Sequence, residues 1–355
     1  MSRLRYTGLV TGDAALDGLD LAALDRHLRA VGIPRAGELR AELIAGGRSN
    51  LTFLVCDDAS KWVLRRPPLQ GLTPSAHDMA REYRVVAALA DTGVPVARVV
   101  TMCDDDSVLG APFQVVEYVP GRVVRSHGDL DALGGQSVIE GCVEALIRVL
   151  VDLHTVDPDA LGLGDFGRSS GYLERQVRRW GSQWEHVRLP DDERDADVRR
   201  LHSALAQSIP QQSRTSIVHG DYSIDNTILD SVDPTVVRAV VDWELSTLGD
   251  PLSDAAWMCV CRDPLVDLIM GADAAWTSPL LPSADELAHH YSVVSEQPLT
   301  HWNFYMALGY FKAAILAAGI DYRRRSSGSH GVSTRAGETV APMIAQGLRA
   351  LRASG

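Results

Sequence analysis

The spacing of hydrophobic residues changes along the chain, and each change predicts a different kind of secondary structure. Residues 15–31 place leucines mostly three or four positions apart, which is typical of an amphipathic helix. The next segments, LIAGGRSNLTFLVCDD and KWVLRRPP, have the composition of strands and are separated by the turn residues 57–60. Gly46 and Gly47 interrupt the first of them, so the pattern predicts a hairpin with a glycine bend.

Apolar residues at helical spacing predict a helix with one apolar face over residues 79–90. Gly93 and Pro95 end this pattern. Two further strand candidates follow, VARVVTMCDD and APFQVVEYVPG. The order strand, strand, helix, strand, strand predicts a small antiparallel sheet with one main helix packed on it. The composition changes near Val119-Pro120-Gly121, which predicts an N-terminal domain of residues 1–120 and a second domain of residues 121–355.

The second domain is predicted to be mostly helical, with a short β insert. Two short apolar segments, TSIVHGDY and TVVRAVVDWE, form the insert. Helical spacing occurs around it over residues 138–154, 171–187, 195–209, 252–260, 284–295, 302–319 and 335–352.

Composition and charge exclude several classes of protein. The chain has 355 residues, 46% hydrophobic and 23% charged, which is typical of a globular protein of about two domains. Its net charge of −12 argues against nucleic-acid binding, which needs a cationic surface. Five irregularly spaced cysteines predict reduced thiols rather than disulfides or a zinc site. We expect a cytoplasmic protein without a signal peptide or a membrane-spanning helix. The oligomeric state is not predicted.

The β insert carries a dense group of polar residues. The stretch IVHGDYSIDN presents His219, Asp221 and Asn226 directly after an apolar segment, and Asp242 ends the next apolar segment. If the two segments pair, Asp221, Asn226 and Asp242 converge at one end of the insert. One carboxylate and one amide oxygen can bind Mg²⁺, and a second carboxylate can accept a proton from a hydroxyl. Phosphoryl transfer needs such a set of groups.

HGDYSIDN followed by VVDWELSTLGDP resembles the catalytic core of the aminoglycoside phosphotransferase-like superfamily of small-molecule kinases, over roughly residues 40–260. GGRSNLTFLV, WVLRRPP and FQVVEYVPG most resemble the phosphotransferase domain fused to some acyl-CoA dehydrogenases. The resemblance implies an α+β, bilobal protein-kinase-like fold. Its first lobe would be a small antiparallel sheet with one main helix, and its second lobe would be mostly helical.

The resemblance also implies roles for the polar residues of the insert. Asp221 would be the catalytic base that orients an acceptor hydroxyl. Asn226 and Asp242 would hold Mg²⁺ on the nucleotide phosphates, and His219 would support the loop. Asp250 and Asp254 would brace the loop and cap the next helix.

ATP is the implied phosphoryl donor, with GTP as an open alternative. Arg65 stands where the superfamily pattern has a lysine, and Lys61 on the same strand face is an alternative phosphate contact. Glu82 would hold Arg65. The implied nucleotide site consists of Gly46, Gly47, Ser49, Asn50, Val63, Arg65, Glu82 and the backbone of Glu117 and Val119.

The resemblance implies a small-molecule acceptor with a hydroxyl group, and two kinds of acceptor are considered. Arg323, Arg324 and Arg325 lie in YRRRSSGSHG, interpreted as a flexible loop that could clamp an anionic acceptor such as a hydroxyacyl-CoA. An aminoglycoside-like acceptor would need clustered carboxylates, for which DDERDAD at 191–197 is a weak candidate. Two other classes stay open: a catalytically inactive nucleotide-binding module, suggested by Arg65, and a metal hydrolase built from His219, Asp221 and Asp242.

Overall fold

A computed structural model describes residues 10–11, 16–45, 50–69, 78–327 and 335–353 of the chain. These residues form two compact units. The first, called the sheet unit, comprises the described residues within Arg3–Pro120 and Arg238–Ser246. The second, called the helical unit, comprises the described residues within Gly121–Val237 and Thr247–Gly355. The short segment that contains Asp242 therefore groups with the N-terminal residues.

The sheet unit is built on a six-stranded sheet of order β1-β2-β3-β4-β6-β5 in which neighbouring strands are antiparallel. Its strands are β1 (Val10–Thr11), β2 (Arg40–Ala45), β3 (Leu51–Cys56), β4 (Lys61–Arg66), β5 (Val99–Cys103) and β6 (Phe113–Glu117). Its helices are α1 (Leu21–Ala30), α2 (Met79–Leu89) and α3 (Asp106–Leu109). Asp20, Asp78 and Asp105 cap them by accepting backbone N–H groups.

Strand β4 shows why the alternating pattern positions a functional side chain. Trp62 and Leu64 are buried on one face, and Val63 and Arg65 share the other, less buried face. Arg65 lies opposite Thr52 on β3 and Gln114 on β6. The two neighbouring strands fix the direction of Arg65, because a one-residue shift would turn it into the core.

The helical unit contains nine helices within the described residues. They are α4 (His127–Asp131), α5 (Gln136–Thr155), α6 (Tyr172–Val187), α7 (Asp195–Gln207), α8 (Pro251–Val260), α9 (Leu265–Met270), α10 (Ala284–Ser295), α11 (Trp302–Ser327) and α12 (Ala336–Arg352). Short strands accompany them: β7 (Ser216–Val218), β8 (Thr227–Leu229) and β10 (Thr247–Gly249), while β9 (Val237–Val240) leads into the segment that contains Asp242.

The structure differs from the sequence-based interpretation at two points in this half of the chain. Strand β7 does not pair with the TVVRAVVDWE segment; it pairs antiparallel with β10, with Ile217 opposite Leu248. Helix α11 also continues to Ser327, so the first half of the predicted 322–331 loop is helical. Asp321 forms ion pairs with Arg324 and Arg325 three and four positions later, an arrangement that favours continued helix.

Helix α11 is long and apolar enough to cross a membrane, judged by length and composition alone. However, 67% of its most apolar window is buried inside the protein. A core helix of a globular protein has the same properties, so this is weak support for membrane insertion.

Candidate active site

The loop between β7 and β8 is the centre of the candidate site in the helical unit. It leaves buried Ile217 and Val218, turns at Gly220, and re-enters the core at Ile224. Gly220 has a φ of 82°, a conformation that side-chain-bearing residues rarely adopt. The turn presents the side chain of Asp221, which is half-buried.

Both carboxylate oxygens of Asp221 accept hydrogen bonds. The indole Nε1–H of Trp257 donates to Oδ1 at 2.8 Å, and the Asn226 amide Nδ2 lies 3.3 Å from Oδ2. The same Nδ2 donates to the Asp221 carbonyl at 2.8 Å. The Asn226 amide nitrogen is thus committed to Asp221, and its oxygen Oδ1 is the atom left to serve as a ligand for a hard cation.

Asp254, on α8, braces the same loop by accepting hydrogen bonds from its backbone. Its Oδ2 accepts the N–H of His219 at 2.6 Å, and its Oδ1 accepts the N–H of Gly220 at 2.9 Å. His219 is fully buried, and its Nδ1 accepts the N–H of Asp221 at 3.2 Å. The proton of the His219 ring is therefore on Nε2, and this histidine orients backbone rather than facing a substrate.

A second buried histidine supports Asp254. His154 on α5 places Nε2 3.4 Å from Asp254 Oδ2 and Nδ1 2.9 Å from the hydroxyl oxygen of Tyr291. Burial raises the pKa of Asp254, but the hydrogen bond from His154 and the backbone donors outweigh burial, so its pKa is lowered overall. Asp254 therefore stays a carboxylate, the form that accepts both N–H groups of the loop.

Asp250 acts on the neighbouring backbone, as expected for a structural aspartate. It caps α8 through the N–H of Leu252. It also accepts the N–H and hydroxyl of Ser213, both at 2.7 Å, and the hydroxyl of Tyr305 at 2.8 Å. These bonds fix the start of the helix that carries Asp254 and Trp257.

A cluster of charged residues forms the candidate site in the sheet unit. Arg65 Nε lies 3.1 Å from Glu82 Oε1, and Arg65 Nη2 lies 2.8 Å from Asp242 Oδ1. Burial alone lowers the pKa of Arg65, but the charges of Glu82 and Asp242 outweigh burial and raise it. Arg65 thus stays charged and joins α2 to the segment that contains Asp242, with Glu82 as its predicted partner.

The backbone at Asp242 is unusual for a non-glycine residue. Its φ of 67° and ψ of 58° lie in the left-handed region, directly before a 3₁₀ turn over Trp243–Leu245. Trp243 is buried and donates its indole N–H to the carbonyl of Val240 at 3.0 Å. Such a conformation costs about 1–2 kcal/mol for a side-chain-bearing residue, and the anchored Trp243 holds it in place.

The other predicted nucleotide contacts divide into three groups. Asn50 is buried, with its amide Nδ2 3.3 Å from Glu244 Oε2, and Val63 shares the face of Arg65. The N–H of Glu117 donates to the carbonyl of Arg98 at 2.8 Å, so only the Glu117 carbonyl and the backbone of Val119 remain as candidate adenine contacts. Gly46, Gly47 and Ser49 lie outside the described residues.

The two groups of candidate acceptor contacts, arginines 323–325 and the carboxylates of 191–197, lie in different surroundings. Arg323, Arg324 and Arg325 are exposed on the last turns of α11, and the latter two are partly neutralised by Asp321. In the 191–197 stretch, Asp192 pairs with Arg194, and Asp195 accepts the Trp184 indole N–H and pairs with Arg199. These carboxylates hold their own helix and loop rather than forming a free acidic cluster.

The structure therefore unites two subsets of the predicted residues. Asp221, Asn226 and His219 lie together in the helical unit, and Arg65, Glu82 and Asp242 lie together in the sheet unit. The convergence of Asp242 with Asp221 stays a prediction.

Sequence reasoning missed the contacts that Trp257, His154 and Lys312 make with the loop or its brace. Lys312 had one visible signal, a single charge in the apolar run ALGYFKAAILAAG.

Comparison with known proteins shows the family of this chain. A family model described as the phosphotransferase enzyme family matches residues 40–290. The chain belongs to this family. A solved structure described as a putative aminoglycoside phosphotransferase from Ralstonia eutropha is 32% identical, with a TM-score of 0.77, and the match covers 94% of this chain and 98% of that one. The predicted α+β, protein-kinase-like fold of this phosphotransferase is thereby confirmed.

The phosphotransferase is also similar to part of a larger protein. Acyl-CoA dehydrogenase family member 10 of Mus musculus is 35% identical over 317 residues, which cover 88% of this chain and 29% of that protein. The chain thus spans about a third of this relative. The predicted resemblance to a domain fused to acyl-CoA dehydrogenases is confirmed.

A more distant structure shares the fold. A thermostable mutant of aminoglycoside phosphotransferase APH(4)-Ia, in ternary complex with AMP-PNP and hygromycin B, has a TM-score of 0.60 at 15% identity. The match covers 93% of this chain and 98% of that one.

The buried side chain of His154 should make the phosphotransferase less stable as the pH falls. Burial lowers the pKa of His154 below its ordinary value of 6.5, and the opposing hydrogen bond with Asp254 does not fully offset burial. Arg214 adds to the lowering, while Asp250 opposes it; the Tyr291 hydroxyl faces the same ring. The unfolded chain therefore binds more protons just below pH 6.5, so stability falls as the pH drops through that value.

We expect His154→Gln to flatten this dependence. The unmodified protein should lose up to about 1.4 kcal/mol per pH unit more than the variant below pH 6.5, because one extra proton binds on unfolding. Urea unfolding of both proteins at pH 7.5 and 5.5 measures the two slopes. Parallel slopes would show that His154 is not the group responsible.

Proposed function

We propose that this phosphotransferase is an ATP- and Mg²⁺-dependent kinase that phosphorylates a hydroxyl group of a small molecule. The observation that carries the proposal is the fixed carboxylate of Asp221, held by Trp257 and Asn226 on a loop braced by Asp254. A carboxylate oriented in this way can accept the proton of an acceptor hydroxyl.

In the proposed reaction the acceptor oxygen forms a bond to the γ-phosphorus of ATP. The bond between that phosphorus and the oxygen bridging to the β-phosphate breaks, and ADP leaves. The hydroxyl proton passes to Asp221, and Arg65 contacts the phosphates of the nucleotide. Support for ATP comes from the distantly related structure that contains the analogue AMP-PNP; GTP stays an alternative donor.

The chemistry of the donor set fits a magnesium ion. Asn226 offers an amide oxygen and Asp242 a carboxylate, and Mg²⁺ usually takes one or two such ligands together with substrate phosphates. Among the described residues, no three His, Cys, Asp or Glu side chains group to hold a metal by themselves. His219 is fully buried and its Nδ1 accepts the N–H of Asp221, so its position does not favour the metal-hydrolase alternative. When bound, the ion would neutralise charge on the phosphate oxygens.

For the acceptor we propose a hydroxyacyl-CoA-like molecule rather than an aminoglycoside-like one. A relative named as an acyl-CoA dehydrogenase family member matches most of this chain, and the exposed arginines 323–325 can bind an anion. Residues 321–325 contain three arginines and one aspartate and so keep a net positive charge. In the 191–197 stretch, Asp192, Asp195 and Asp197 are paired with arginines of this chain. An aminoglycoside acceptor would need them free to bind cationic amines.

A matched set of acceptors tests the proposal. The purified chain is incubated with Mg²⁺·ATP and a hydroxyacyl-CoA, the same acyl-CoA without the hydroxyl, or an aminoglycoside. We expect ADP release and a mass gain of one phosphoryl group only with the hydroxyacyl-CoA. Phosphorylated aminoglycoside would overturn the acceptor class. Slow ATP turnover that no acceptor stimulates would favour the inactive nucleotide-binding module.

A further inference from the structure

Lys312 lies against the loop that carries Asp221, and no role has been assigned to it so far. It is a half-buried residue in the middle of α11, surrounded by apolar positions. Its Nζ donates to the carbonyl of Gly220 at 2.5 Å and lies 3.5 Å from the centroid of the Trp257 ring. The ammonium thus contacts the loop on one side and an indole face on the other.

Both partners of Lys312 act directly on Asp221. Gly220 is the residue before Asp221 and carries the positive φ of the turn. Trp257 donates its indole N–H to Asp221 Oδ1 at 2.8 Å. An ammonium over the indole face is attracted to the negative face of the ring and stabilises the ring orientation. Lys312 therefore restrains Asp221 through its backbone and through its hydrogen-bond donor.

The use of lysine at this position is itself informative. Lys61 and Lys312 are the only lysines among the 34 lysines and arginines of the chain. Elsewhere the chain uses arginine, whose planar fork suits carboxylates and phosphates. A compact ammonium can point one N–H at the Gly220 carbonyl while resting on the indole, whereas a guanidinium is a longer and wider group.

Burial and the neighbouring acidic groups act on the pKa of Lys312 in opposite directions. Burial lowers the pKa of Lys312 overall. Asp221 on the loop, Cys261 after α8 and Asp254 on α8 oppose the lowering only in part, and Arg179 on α6 adds to it. Two of the groups that favour the protonated form, Asp221 and Asp254, belong to the loop and its brace. When protonated, Lys312 therefore partly offsets the charge of the proposed base.

We propose that Lys312 is a positioning residue for Asp221, holding the Gly220 carbonyl and the Trp257 indole so that the carboxylate faces the acceptor hydroxyl. This inference rests on the proposed phosphotransferase reaction. Lys312 acts through Gly220 and Trp257 and is not itself in contact with the reacting atoms. A residue of this kind affects the rate of transfer more than the binding of nucleotide.

The first test compares Lys312→Met with Arg148→Met, which removes a cation from the exposed surface of α5. We expect Lys312→Met to lower kcat by at least about tenfold with the KM for ATP changed less than about twofold, because the lost restraint matters in the transition state. Arg148→Met should change neither value. Unchanged kcat in Lys312→Met, with an active parent protein, would overturn the inference and leave the proposed function intact.

A double variant tests whether Lys312 acts through Trp257. Trp257→Phe keeps an aromatic face but removes the N–H that Asp221 accepts. Lys312→Met should lower kcat by a smaller factor in the Trp257→Phe variant than in the parent protein, because both changes disturb the same restraint. Fully multiplicative losses would contradict an action through Trp257.

Hydrogen exchange provides a readout that does not depend on activity. In Lys312→Met, peptides covering residues 217–226 should exchange faster than in the parent, with exchange elsewhere in the helical unit unchanged. Faster exchange throughout that unit would show a merely structural role and overturn the inference. Faster exchange confined to the loop, in a protein that transfers no phosphate to any acceptor, would support the restraint while refuting the proposed function.

Discussion

Replacing Asp221 by asparagine is expected to reduce phosphoryl transfer by about 10²–10⁴-fold, the usual contribution of a general base. This corresponds to about 3–5 kcal/mol of transition-state stabilisation. Asparagine has nearly the same shape and keeps an oxygen for the Trp257 indole N–H, but it cannot accept the hydroxyl proton. Nucleotide binding should be retained, since Asp221 is assigned to the acceptor rather than to the nucleotide.

Initial rates with the preferred acceptor, together with calorimetric titration of nucleotide, measure both quantities. Asp225→Asn is a matched control from the same loop. Asp225 accepts a hydrogen bond from the Ser223 hydroxyl, which an asparagine oxygen can also accept, and it has no proposed role in transfer. Loss of ATP binding in Asp221→Asn would contradict the assignment of the base. Slow ATP turnover that is equal in both proteins would favour an inactive module.

Replacing Asp242 by alanine should weaken the binding of Mg²⁺·ATP by about 10–100-fold. Loss of a charged ligand or hydrogen-bond partner costs about 1.5–3 kcal/mol. The change also leaves Arg65 with Glu82 as its remaining partner in the cluster. Transfer should fall at least as steeply, because the phosphate charge is then poorly neutralised.

The magnesium dependence of nucleotide binding separates a metal ligand from a structural residue. With Mg²⁺ present, calorimetry should show the full loss of affinity in Asp242→Ala. With a chelator present, the variant should bind ATP as well as the parent or better, because a carboxylate near the phosphates has been removed. An equal loss under both conditions would show that Asp242 only holds the backbone and Arg65.

Local patterns predicted much of the secondary structure. Helix α10 begins and ends at the predicted residues 284 and 295, where a Ser283–Glu286 capping box marks its start. Strand β4 has the predicted alternation, so Val63 and Arg65 share one face. In both cases the signal lies within a few consecutive residues, which is the range over which hydrophobic spacing and caps act.

The structure differs from the sequence-based interpretation where the local signal in the sequence is weak or where the contacting residues are distant along the chain. Helix α11 continues through YRRRS, for which the sequence pattern predicts a loop. Arginine favours helix, and Asp321 pairs with two of the three arginines. Strand β7 pairs with β10, and each has only three residues. Such short strands carry too little alternation to specify a partner.

The sequence by itself determined the family, the fold class and the residues of the loop from His219 to Asn226. These follow from residue types at short, fixed spacings, because the loop must supply a glycine for its turn and polar side chains for its own backbone. The tertiary structure alone decided what restrains that loop. Lys312 lies 92 positions from Gly220, and His154 lies 100 positions from Asp254. No local pattern encodes such contacts, because they arise only when packed helices bring polar side chains together with partners that are distant along the chain.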